Sequence, residues 1–76
     1  MAKTDDELRE LAKQPGWRLD TGEGAGHSGT LGDVAKVAHA RRARGEPPGI
    51  VRRIENAVEL EMLEVEQLWR AIGLPI

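Results

Sequence analysis

The chain has 76 residues, no cysteine, two tryptophans and no phenylalanine or tyrosine, and its formal net charge is −2. That length holds one domain with a small core and a thin stability margin. The cysteine count excludes disulfides and thiolate metal sites, the charge argues against a general nucleic-acid binder, and no apolar run reaches membrane-spanning length. With no apolar leader region at the N-terminus, a cytoplasmic protein is expected.

In chain order, Thr4-Asp5-Asp6-Glu7 is a capping-box pattern with acids at the positive end of a helix dipole. It predicts a helix over residues 5–13, with Leu8, Leu11 and Ala12 turned inward, closed by Pro15-Gly16. Trp17-Arg18-Leu19-Asp20-Thr21 alternates apolar and polar residues, but no second strand stands out to pair with it. The expectation is an extended arm over 17–21, with Trp17 laid over the core. Residues 22–29 carry four glycines and read as a flexible loop. No Gly-Lys-Ser/Thr ending follows and no hydrophobic strand precedes, so the tests for a phosphate cradle fail. Thr30, with Asp33 three residues on, starts a second helix over 31–44, whose small stripe of Leu31, Val34, Ala35 and Ala38 permits close packing. Gly45 closes it, and the cations of Arg41, Arg42 and Arg44 suit its negative end.

The stretch from Pro47 to Ile72 is free of internal breakers. It predicts one long helix over 48–72, about 37 Å at 1.5 Å per residue. On a helical wheel Ile50, Val51, Ile54, Ala57, Val58, Met62, Val65, Leu68, Trp69 and Ile72 share one arc. Two features disturb the pattern. Leu60 and Leu63 fall outside the arc, and Glu61 falls inside it, where a carboxylate needs a partner or an edge. The fold expected from these elements is all-α: a single domain over 1–76, with two short helices packed on one long C-terminal helix and a glycine-rich loop between the first two.

The functional expectation is a small non-enzymatic regulatory or inhibitory protein, of the size common among accessory proteins of phages and mobile elements. Its partner would be a protein, bound through the long acidic helix. Leu60, Leu63 and Trp69 would supply apolar area, while Glu59, Glu64 and Glu66 favour a basic partner surface. Two apolar faces on a small chain also suit a homo-oligomer. No cofactor or metal is expected, since His27 and His39 stand apart with no third ligand. The alternative is a helix-turn-helix-like DNA-binding regulator, built on the second helix and the start of the long one. Its basic patch would be Arg41, Arg42, Arg44, Arg52 and Arg53.

Leu8 to His27, read as a helix, Gly16-Trp17, Leu19, glycines and then His27, resembles the opening of HicA-type mRNA interferase toxins. In that family a helix leads to a strand and a Gly-Ser-His segment. The resemblance implies an RNA-cleaving role with His27 as its catalytic residue. The chain departs from the pattern in joining Gly26 directly to His27, and in following with the helical TLGDVAKVAHARRA rather than strands.

Overall fold

A computed structural model describes residues 3–24 and 26–75. The order of elements is α1 (Asp5–Ala12), β1 (Trp17–Asp20), β2 (His27–Gly29), α2 (Leu31–Ala43), β3 (Ile50–Arg53) and α3 (Met62–Ala71). The three strands form one antiparallel sheet in the order β2-β1-β3. The all-α expectation is therefore wrong, and no long C-terminal helix exists.

The two predicted capping boxes are present and set where α1 and α2 begin. Thr4 Oγ1 accepts from Glu7 N–H at 3.2 Å while Thr4 N–H donates to Glu7 Oε1 at 3.2 Å. Thr30 and Asp33 repeat the arrangement at 3.1 and 3.4 Å. The segment predicted as an irregular arm is instead the central strand. Its alternation points Trp17 and Leu19 into the core and Arg18 and Asp20 to the opposite face. Its partners were hidden. One is the three-residue His27–Gly29 at the end of the predicted glycine loop, whose Ala25 lies outside the described residues. The other is Ile50–Arg53, inside the predicted long helix.

Three local features break that predicted helix. Gly49 has φ +97, and a Cβ there would stand 2.9 Å from the Asp20 carbonyl oxygen, so the chain enters β3 through a position that excludes other residues. Beyond β3 the backbone turns back on itself. Arg53 N–H donates to Val58 O at 2.8 Å, Ala57 N–H to Arg53 O at 2.8 Å, and the Asn56 side chain accepts from Val58 N–H at 3.1 Å. Ala57 takes a left-handed φ of +57. Leu60 N–H then reaches Val51 O at 2.9 Å, and Arg52 and Glu59 form an isolated bridge, so residues 58–60 line the outer edge of β3. The helix starts only at Met62, and Glu61, which fitted the predicted stripe badly, is its exposed N-cap residue.

α2 is the hub. It touches all three strands as well as α1 and α3, and Leu31, Gly32, Val34, Ala35 and Ala38 are all buried. Gly32 lets α1 come close: a Cβ would lie 3.1 Å from the Ala12 carbonyl oxygen. α3 presents Val65, Leu68 and Trp69 inward, and the Trp69 indole N–H donates to the Ala35 carbonyl at 2.8 Å. Trp17 is buried as expected. Among the described residues no polar or charged residue is buried, and no helix is long and apolar enough to cross a membrane.

Replacing Trp69 with phenylalanine would strand the Ala35 carbonyl's second lone pair and leave a gap, costing about 1–3 kcal/mol. Trp69→Ala should cost about 3–5 kcal/mol, a large share of what a chain this size holds. Urea titration of both variants checks the order. The Thr4 cap has a pH signature. Its backbone N–H, and then its hydroxyl, hold the Glu7 carboxyl below its ordinary value of 4.5. Ionised Glu7 thus favours the folded state above the unfolded pKa, and this is lost as pH falls through the lower folded value. Thr4→Ala should move the Glu7 titration, followed by NMR, upward.

Candidate functional site

The residues expected to form one partner-binding face do not come together. Trp69 is fully buried in the core, and Leu60 is half-buried against it. Glu59 Oε1 accepts from Arg52 at 2.8 Å, and Glu66 Oε2 accepts from Arg42 at 2.7 Å. Glu64 Oε1 accepts from the Glu61 backbone N–H at 3.3 Å and serves the start of α3. Only Leu63 among the apolar three remains outside, at 73% exposure.

The arginine patch is equally dispersed. Arg41 and Arg44 share Glu46 at 3.3 and 2.7 Å, and Arg41 also donates to the Pro47 carbonyl. The Arg44 hydrogen bond, followed by its charge, holds the Glu46 carboxyl below its ordinary range. Arg42 lies over the Trp69 ring at 5.5 Å, and Arg52 reaches Asp20 at 3.8 Å as well as Glu59. Arg53 sits 5.9 Å above Trp17. Four of the five guanidiniums thus face a carboxylate of the same chain. The helix that the helix-turn-helix alternative needs for base reading is strand β3 and a turn.

Catalytic arrangements fare no better on geometry. His27 and Ser28 are neighbours in β2, and strand alternation sends their side chains to opposite faces, so adjacency creates no nucleophile–base pair. The order α1, β1 and then His27 follows the interferase resemblance, but β2 ends after three residues and runs into α2. His39 packs edge-on to Trp69 with centroids 5.3 Å apart, and its Nε2 is bonded to the Pro75 carbonyl. With Arg42 and Ala43 these groups line a 340 Å³ cavity. No group of three or more His, Asp or Glu side chains among the described residues is placed to hold a metal.

Four residues expected to face the core stand open to solvent, and Leu63, expected outside it, joins them. Ile50, Ile54, Val58 and Met62 are 43, 55, 53 and 40% exposed, and with Leu63 they are the large apolar side chains left open among the described residues. All five come from residues 50–63, the span of β3, the turn and the beginning of α3. Ile50 is on the sheet face away from α2, opposite Asp20 in register. The other four follow one another around the hairpin and into the first turn of α3. The misfit of Leu60 and Glu61 with the helical wheel was the signal that this region is not helical throughout: Leu60 packs on the core and Glu61 stands exposed.

No known family, no curated protein and no solved structure matches the chain. The site is therefore judged by its own chemistry.

The pairs of Glu46 with Arg41 and Arg44 lie at the surface, where solvent screens their attraction. Glu46→Gln should leave the melting temperature nearly unchanged. It should free Arg41 and Arg44 together, measured as stronger retention on a phosphate-bearing cation-exchange matrix.

Proposed function

We propose that this chain is a small non-enzymatic regulatory protein of the cytoplasm, acting by docking on another protein. The surface is revised from the one expected: it is the exposed run Ile54, Val58, Met62 and Leu63 on the turn and the first turn of α3. The observation that carries the reading is that the exposed large apolar side chains all fall in residues 50–63, while the other large apolar residues among those described are buried fully or in part. Scattered exposed hydrophobics need no explanation, whereas a gathered set on a small surface is the ordinary mark of an interaction site. The arrangement suits a few apolar anchors rimmed by polar groups.

Val58→Ser with Leu63→Ser tests this. Both positions are open to solvent, so helix content and melting should be preserved to within about 0.5 kcal/mol. A protein recovered stoichiometrically from the source cells on the immobilised chain should be weakened about tenfold or more in affinity for the double variant. Equal affinity for both forms would remove these residues from the interface. Leu60→Ser is the contrast: packed against the core, it should lower the melting temperature.

A further inference from the structure

We infer that the partner segment seated on residues 54–63 is basic and amphipathic: apolar anchors flanked by lysines or arginines. This rests on the docking reading above and assigns the chemistry of what docks.

The anchors are interleaved with carboxylates. Between Ile54 and Trp69 the chain holds Glu55, Glu59, Glu61, Glu64 and Glu66 and no basic residue. Two of the five are neutralised within the fold, Glu59 by Arg52 and Glu66 by Arg42. Glu55, Glu61 and Glu64 are in no salt bridge among the described residues, and all three are exposed. Each of the three adjoins an exposed anchor: Glu55 follows Ile54, Glu61 precedes Met62, and Glu64 follows Leu63, while Glu59, which follows Val58, is held by Arg52. The bond from Arg53 N–H to Val58 O closes the turn, so Ile54, Glu55 and Val58 share it. Val58 and Leu63 are five residues apart, which limits their separation to about 17 Å. Anchors and free carboxylates therefore alternate along one short exposed segment.

The α3 dipole favours acids at its first turn and explains part of the attraction for Glu61 and Glu64, but it does not reach Glu55. Arg70, exposed and in no salt bridge among the described residues, lines one surface depression with Leu63 and Glu64 and offsets one of the three free carboxylates, which leaves two in surplus. The other cations near the run are engaged. Arg42 is held by Glu66 with a guanidinium nitrogen 3.8 Å from the Met62 sulfur, and Arg53 is laid on Trp17. A second copy of the chain is a poor occupant, because a twofold contact would set this surface and its free carboxylates against their own copies. Phosphate backbones and anionic lipid surfaces are repelled for the same reason. A basic protein segment has both complements: apolar side chains for the anchors and cations for the rim. Its encounter would be steered and salt-dependent.

The test uses the full chain and two labelled helical peptides of about 18 residues with the same leucines, one with lysines and one with glutamates on the polar face. Fluorescence anisotropy at about 50 mM and about 300 mM salt reads both affinity and screening. The lysine peptide should bind and the glutamate peptide should not. Val58→Ser with Leu63→Ser should weaken binding about tenfold. The triple variant Glu55→Gln, Glu61→Gln, Glu64→Gln keeps side-chain shape and the Glu64 cap. It should weaken binding about tenfold and flatten the salt dependence. Binding of neither peptide, of both alike, or of the lysine peptide with equal strength to the triple variant would overturn the inference. The cellular partner separates the two proposals. If its affinity falls with the serine variant but not with the glutamine variant, the docking surface stands and the basic partner does not. If the serine variant has no effect, both fail.

Discussion

The contact on which the rest of this fold depends is the seat of Trp69. Its indole is fully buried, its N–H is bonded to the Ala35 carbonyl at 2.8 Å, His39 meets its edge and Arg42 covers it. With so few aromatics available, this one side chain fills a large part of the space where α2 and α3 meet, and a buried indole must also satisfy its donor. Ala35 and Ala38 are small because the large group comes from the other side. α2 has the sheet on one flank and α1 and α3 on another, so its buried residues cover more than one stripe.

Once Trp69 is committed to the core, the surface follows. The C-terminal helix has ten residues, and most of its apolar ones are buried against α1 and α2. The residues between β3 and α3 form a turn and an edge segment, too short and too curved to bury both faces. Ile54 and Val58 are left outside because the loop that carries them has no layer above it. The exposed apolar run is thus a by-product of how the sheet edge is finished, around the segment where residues 58–60 line β3.

How much of this was legible is clear from particular residues. Thr4 with Glu7 and Thr30 with Asp33 set the starts of α1 and α2 correctly, because capping is local chemistry that tertiary packing rarely reverses. Trp17–Asp20 showed strand alternation, but its partners carried no visible pattern. β2 is His-Ser-Gly, and β3 is the four residues Ile-Val-Arg-Arg, which fit a helical stripe equally well. The break at residues 54–57 is held by an alanine in the left-handed region, a residue type that gives no warning. Asn56 was the one local turn former, and its side chain accepts a backbone bond there.

The error in the site had the same origin. On a continuous helix, Ile54, Val58 and Met62 share the inward face and Leu63 the outward one. When the helix begins at Met62, the first three lose the neighbours that would have covered them, while Trp69 stays on the inward face and is buried outright, closed to any partner. The glutamates divide the same way. Those with a guanidinium opposite them, Glu59 and Glu66, belong to the fold, and Glu55, Glu61 and Glu64 remain on the surface beside the exposed anchors. Net charge alone does not reveal this, because a total of −2 averages a self-neutralised arginine cluster with an unbalanced acidic edge. The structure separates the two, and the physical ground for expecting a cationic partner lies in that separation rather than in composition.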